Sequence, residues 1–401
     1  MADALPGLSA ALAGYAGPDA IAEFREIFDP ERLGRLAEPH VLRLGAKLLS
    51  RPGSPLFNPG VLPNRVATLH GARALVPGAE FYAITGYELG SFGLLQRQGR
   101  VFVSNDVQPH GFNEKILPGT MPAHWVRGLF RPDAEIIASD EPVGVVLNPH
   151  FVYGHFLLEM MARVHLLARL RELGRPMRVA VPSDAPGWVR EFIGFYFSAD
   201  QILSYDSVRQ RVRAPCFVLP NMMMLHYLLH PELNLVVRAL LDRVADGAAV
   251  PANANRRLYL SRSRHQGWHA LTNEAEVEAT MADLGFSAVH PQELPLREQF
   301  ALVARAECIV SAYSSAAHNA LFAPFGTPVF CFGWMNRCQS GIAALRGQPM
   351  AYMAPSNGVL IFPPRNREPG VFRHHIDCRD LARELPAFLR FAEASRATAE
   401  A

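Results

Sequence analysis

His155, Glu159 and Arg163 follow one another at intervals of four in the otherwise apolar stretch "NPHFVYGHFLLEMMARVHLL", residues 148–167. Residues four apart share one helix face. A histidine with a carboxylate one turn later suits general base chemistry. The ring takes a proton, and the carboxylate orients the ring or stabilises it once charged. Gly154 precedes His155, which places the ring at a helix N-terminus, where the dipole disfavours the imidazolium form. The alternative is a structural histidine beside a Glu159–Arg163 helix pair. His150 and His165 lack this context and read as structural.

A second set of residues suits an anion. Arg262 and Arg264 alternate in "YLSRSRHQGWHALTNE", just past an expected strand. Ligands of open α/β sheets bind at that end of a strand, and the arginine fork matches phosphate oxygens. Ser314 and Ser315, in "SAYSSAAHN", stand where a strand turns into a helix. Backbone N–H groups and the helix dipole favour a phosphate there. The competing readings are solvated surface arginines and ordinary serine capping. His318 and Asn319, one turn further in, either contact a nucleotide or pack.

Other chemistries lack their residues. There is no G-x-G-x-x-G after a strand, no Walker A run and no G-x-S-x-G elbow. There is no D-x-D pair of carboxylates to bridge a divalent cation to a diphosphate. The five cysteines form no C-x-x-C pair, which argues against a zinc site and a disulfide framework and for a reducing compartment. Cys308 and Cys331 lie in apolar runs and read as core.

These residues need elements to hold them. Residues 1–50 have helical apolar spacing, and 51–64 are rich in Pro and Gly and read as a loop. Residues 65–140 read as short strands and turns. From 143 the text alternates: "VGVVL" is a strand, 155–172 a helix, "MRVAV" a strand, 186–197 a helix, "QILSY" and "CFVLP" strands, and 231–245 a helix. Residues 246–256 read as a linker. Then "RLYLS", "SAVHP", "CIVSA" and "PVFCF" alternate with helices, and a last helix covers 380–395. Asn273 and Glu276 have the spacing of a capping box, and Gly285 ends that helix. Such alternation implies parallel, doubly wound sheets. The expected units are a helical segment over 1–50, an α/β domain with a β-rich start over 65–245, a second α/β domain over 257–365, and a helix and tail over 370–401.

With 401 residues the chain has room for two domains. Hydrophobic residues make up 49% and charged residues 19%, as in globular enzymes. A net charge of +2 gives no field for nucleic acid. Lys47 and Lys115 are the only lysines, and every other basic residue is arginine. The N-terminus lacks a signal-peptide pattern, and no apolar window is long enough to span a membrane. Cytoplasmic placement is expected, with peripheral contact to the inner membrane left open.

Taken together, these stretches resemble the glycosyltransferase 61 family, which includes many bacterial capsular polysaccharide biosynthesis proteins. "YGHFLLEMMARV" is similar to that family's Tyr-x-His-(aromatic)-x-x-(Asp/Glu) helix. The run from "SRSRHQGWHALTNE" to "GTPVF" resembles its C-terminal signature at Arg264, Asn273, Glu274, Gly285, Phe286, Glu298, Gln299 and Asn319. The resemblance covers about residues 143–335. It implies a GT-B architecture of two Rossmann-like domains facing a cleft. It also implies inverting, metal-independent transfer from a nucleotide-sugar co-substrate to a glycan or glycolipid acceptor, without a cofactor. His155 and Glu159 are then the catalytic candidates. Arg262, Arg264, Asn273, Glu298, Gln299, Tyr313, Ser314, Ser315, His318 and Asn319 are the donor-binding candidates. The sequence departs where the family's His-Gly-Ala-Gly-Leu-Thr-Asn turn reads Tyr313-Ser314-Ser315-Ala316-Ala317-His318-Asn319. That change motivates an alternative, a non-catalytic sugar-nucleotide or glycan-binding partner in an assembly complex. A third reading makes His155 a nucleophile in a phosphate-handling enzyme.

Overall fold

In the computed structural model, two stretches of strand–helix alternation each build a parallel sheet. The structure describes residues 40–50, 56–57, 73–90, 93–97, 100–101, 133–146, 152–172, 174, 176–225, 227–250, 254–264, 270–333, 337–356 and 373–400. The chain divides into two compact units, residues 1–49 with 74–236, and residues 50–73 with 237–401.

The first unit holds strands β1 (His40–Ser50), β2 (Arg73–Ile84), β3 (Val143–Val145), β4 (Arg178–Pro182), β5 (Ile202–Tyr205) and β6 (Phe217–Pro220) in one sheet. Their order is β1-β2-β6-β3-β4-β5. The β6-β3-β4-β5 block is parallel, and β2 runs antiparallel to β6. From β3 the chain moves outward to β4 and β5, then returns to β6 on the other side of β3. That reversal is a topological switch point, with its crevice at the carboxyl ends of β3 and β6. A second sheet of short strands orders Arg100–Val101, Leu95–Arg97, Glu88–Leu89, Gln210–Arg213 and Glu135–Ala138. Its hairpins, with Leu89 opposite Leu95 and Arg97 opposite Arg100, agree with the short strands and turns expected there.

β1 corrects the helical reading of residues 40–50. The apolar spacing of "HVLRLGAKLLS" fits a helix locally, but the edge beside β2 offers a long-range ladder that overrides weak propensity. Residues 1–39 of the same expectation lie outside the described residues. Within the loop expected over 51–64, Leu56–Phe57 forms a short strand.

The second unit contains β7 (Arg257–Leu260), β8 (Ser287–Val289), β9 (Cys308–Ala312), β10 (Val329–Phe332) and β11 (Met350–Met353). All pairings are parallel, in the order β8-β7-β9-β10-β11, with Leu56–Phe57 completing the edge beside β11. This is the doubly wound order 2-1-3-4-5, whose ligand crevice lies at the carboxyl ends of its first and third strands, here β7 and β9. β9, β10 and β11 are buried at every position, because helices cover both faces of a parallel sheet. Cys308 and Cys331 are buried there and free of disulfides.

The α-helices fall where the sequence places them, apart from Arg337–Arg346, which it does not anticipate. α1 (Met161–Glu172) and α2 (Gly187–Gly194) belong to the first unit. The unit division falls inside α3 (Leu233–Ala245), ahead of the expected linker. α4 (Glu274–Asp283), α5 (Leu296–Val303), α6 (Arg337–Arg346) and α7 (Cys378–Glu400) belong to the second. Gly285, at φ +80°, lets the chain leave α4 left-handed, as expected. The capping box does not form. Asn273 is the N-cap of α4 without a side-chain cap bond, because its Oδ1 accepts from Ile376 N at 3.1 Å and its Nδ2 donates to Ile376 O at 2.8 Å.

Candidate functional site

The first-unit candidates sit at that unit's switch point. The chain leaves β3 and enters a helical turn at Tyr153–His155, passes through a π-helical turn at Phe156–Met160, and continues as α1. A π turn carries one residue more than the α repeat and often marks a functional site. It rotates the 153–155 turn by about 100° relative to α1. Gly144 in β3 lets the helix approach, since a Cβ there would lie 2.8 Å from Leu167 Cδ1. Phe156, Met160, Val164 and Leu167 are all buried, each worth roughly 1.5–3 kcal/mol.

The polar stripe within this helix forms a graded series. His155 Nδ1 lies 2.5 Å from Glu159 Oε1. The histidine side chain is 36% exposed and the glutamate 5%, so the ring faces solvent with the carboxylate behind it. Arg163 is wholly buried, and its Nε donates to Pro220 O, at the carboxyl end of β6, at 2.8 Å. Burial disfavours the charged His155 ring, but the hydrogen bond and charge of Glu159 outweigh it, and the pKa lies above its ordinary value. The expected effect of the helix N-terminus, a ring held neutral, is therefore overridden. Once deprotonated, a ring that donates Nδ1–H to Glu159 carries its lone pair on Nε2. Trp188 packs edge-on against Tyr153 and Phe156, with centroids 5.5 and 5.1 Å apart. Sequence reasoning missed this indole, because it lies on α2 and no local pattern links it to His155.

The second-unit candidates divide. Glu274, on the first turn of α4, gathers the loop after β7: its Oε1 accepts from Tyr259 Oη at 2.5 Å and from Arg262 N at 3.1 Å, and Ser261 Oγ lies 3.1 Å away. Glu278 Oε1 lies 2.5 Å from Ser261 Oγ and 2.7 Å from Ser263 Oγ. The Arg262 guanidinium is half-buried, and burial lowers its pKa against the opposing charge of Glu274. Arg264 is exposed and paired with Glu293 at 2.8 Å, a surface contact worth little. Asn273 is held apart from this group, by Ile376 and by Glu276, whose Oε2 accepts from its Nδ2 at 2.9 Å.

Tyr313 and Ser314 follow β9, at the other side of the crevice. Ser314 Oγ accepts from Ala316 N at 3.2 Å and Ser314 O from Ala317 N at 3.2 Å. Two amides expected to greet a phosphate are thus engaged by the serine cap. Ser315 opens a 3₁₀ helix, Ser315–Phe322, rather than an α-helix. His318 and Asn319 are buried within it, and Asn319 Nδ2 donates to Ala316 O at 3.1 Å. Glu298 and Gln299 lie on the first turn of α5, where Gln299 Nε2 closes the preceding turn on Leu294 O at 2.8 Å. Gln299 is therefore held by its own turn. Among the described residues, no group of three or more His, Cys, Asp or Glu is placed to hold a metal ion, and no helix is long and apolar enough to cross a membrane.

Residues 153–330 match the family model described as Glycosyltransferase 61. Over that span the sequence is similar to family 61 glycosyltransferases. No curated protein matches it. The matched span opens on the turn that carries His155 and closes in β10, so the His155–Glu159 pair and the carboxyl ends of β7 and β9 fall within it. Glycosyltransferases of that family act on a sugar donor and an acceptor.

Proposed function

We propose that this glycosyltransferase moves a sugar from a nucleotide-sugar donor to a hydroxyl of a glycan or glycolipid acceptor in surface polysaccharide biosynthesis, by a single inverting displacement. The observation that carries the reading is the His155–Glu159 pair, an accessible ring backed by a buried carboxylate at a switch point. His155 Nε2 takes the acceptor hydroxyl proton. The oxygen bonds to the anomeric carbon as the bond to the donor diphosphate breaks, and the diphosphate leaves with the electron pair. The imidazolium so formed is stabilised by Glu159. The second unit takes the donor at the ends of β7 and β9, where Arg262, Arg264 and the turn at Ser314 and Ser315 meet its negative charge. The reading adopts a GT-B arrangement, uses no metal ion, and places the reaction in the cytoplasm.

The test is a screen of nucleotide sugars for transfer and hydrolysis, run on wild type and His155→Ala. A positioned base contributes about 10²–10⁴-fold, and the variant is expected to lose that much while remaining folded. Near-normal turnover would remove His155 as the base. The capped amides of Ala316 and Ala317 favour a second reading, a sugar-nucleotide binder without turnover. Binding by calorimetry with no hydrolysis or transfer by wild type would select it.

A further inference from the structure

Among the described residues, the second unit contains a buried histidine with an unpaired ring nitrogen. His374 lies on the two-residue strand Arg373–His374, parallel to Ala270–Leu271. Thr272 anchors it through the backbone, with N and Oγ1 at 2.7 and 3.2 Å from His374 O. The side chain is 5% exposed. Among the described residues, His374 Nδ1 is a buried nitrogen with no hydrogen-bond partner. An unsatisfied buried polar group costs about 1–3 kcal/mol, and such a group calls for an explanation. Isolation from water lowers the ring's pKa, so near neutral pH it is uncharged, with one nitrogen donating and the other accepting.

Its position supplies the explanation. A Cβ on Gly333, the residue after β10, would lie 3.6 Å from His374 Cδ2 and 3.5 Å from Tyr313 Cβ. The imidazole therefore sits beside Gly333 at the end of β10, and Tyr313, the first residue of the Tyr313–Asn319 turn, flanks the same glycine. Gly333 has φ +104°, a backbone conformation that favours glycine. The same turn has a second such atom beside it. Gln339 Nε2 donates to Ser314 O at 3.2 Å, while Gln339 Oε1 is buried without a partner among the described residues. Two unsatisfied buried polar atoms thus flank one turn at the carboxyl edge of a doubly wound sheet.

We propose that His374 is a donor-binding residue, whose Nδ1 hydrogen-bonds an oxygen of the nucleoside diphosphate part of the sugar donor. The assignment rests on reading the second unit as the donor side. It adds a neutral donor–acceptor group to the charged Arg262 and Arg264, and so contributes position rather than charge.

The experiment is calorimetry of the full chain with UDP, GDP, CDP and ADP, on wild type, His374→Leu and His374→Asn, with a thermal melt of each. Wild type is expected to bind at least one diphosphate. The Leu variant is expected to bind it about tenfold more weakly, the equivalent of about 1.4 kcal/mol, while melting at or above wild type because an unsatisfied buried group is gone. The Asn variant, which keeps an N–H near the Nδ1 position, is expected to bind more tightly than the Leu variant. Equal affinity in wild type and the Leu variant overturns the assignment alone. A Leu variant that melts lower, with an Asn variant that binds no better, makes His374 a structural residue and overturns it as well. Absence of binding by wild type to any of the four overturns the donor-side reading and this assignment with it.

Discussion

Gly144→Ala tests how the fold holds the base. The added Cβ would lie 2.8 and 3.0 Å from the two Leu167 methyl carbons and 3.1 Å from Val179 Cγ1. Leu167 and Val179 are wholly buried, so neither side chain has solvent to swing into. Overpacking of this kind costs about 1–3 kcal/mol. At roughly 2–4 °C per kcal/mol for a unit of this size, the apparent melting temperature should fall by about 2–12 °C. The cheapest relief is a small outward shift of the 153–172 helix, which carries His155. A misplacement of order 1 Å costs about 100-fold in rate, so transfer should fall further than melting alone suggests at a temperature where the variant is folded. Leu167→Ala removes the clashing methyls, at its own cost of about 2–5 kcal/mol. In the double variant the two losses should sum to less than the singles, by about 0.5–3 kcal/mol. The assays are thermal melts with circular dichroism and turnover of whichever nucleotide sugar the screen identifies. A Gly144→Ala variant that melts with wild type, or a double variant whose loss equals the sum, refutes the contact.

Four further outcomes follow from the same geometry. Glu159→Gln removes the group that raises the His155 pKa and leaves the burial that lowers it, so the rising limb of kcat/KM should move to lower pH; an unmoved limb separates the pair. By the same sign, the pair stabilises wild type fully below the ordinary histidine pKa, and that stability is lost as pH rises through the higher folded pKa; melts of the Gln variant should lack this dependence. Arg163→Met should leave Pro220 O without its donor and cost about 1–3 kcal/mol; a chemical-denaturation midpoint equal to wild type counts against it. Gly333→Ala places a side chain at φ +104°, a strain of about 1–3 kcal/mol, and should weaken diphosphate binding in calorimetry, whereas unchanged affinity would detach Gly333 from the donor edge.

The sequence carries the His155–Glu159 pair openly because both partners lie one turn apart on one helix, where spacing alone brings them together. The strands β7, β9 and β10 are equally legible as short apolar runs bounded by loops. The π turn at Phe156–Met160 leaves no mark in apolar spacing, since every residue from 156 to 160 is buried and any helical phase fits. β1 was hidden because its partner β2 begins more than twenty residues later, and local spacing reports nothing about ladders. Glu274 stands inside a recognised motif, yet its grip on Tyr259 and Arg262 depends on how β7 and α4 pack. His374 is the furthest from legible. Its neighbours Tyr313 and Gly333 are distant in sequence, and only the sheet order brings their strand ends together. Asn273 shows the converse: its amide does reach Glu276 Oε2, at 2.9 Å, but its Oδ1 accepts from Ile376 N in place of a backbone amide of α4.

The strand Leu56–Phe57 has a consequence for how the chain is made. It completes the β11 edge of the second sheet, yet it leaves the ribosome long before any other strand of that sheet, while the first unit is still being synthesised around it. The second unit therefore cannot finish in order of emergence. Its early segment must wait, unpaired, until residues 350–353 appear. A fragment cut at residue 237 would present β11 with a bare edge, and such edges recruit other chains.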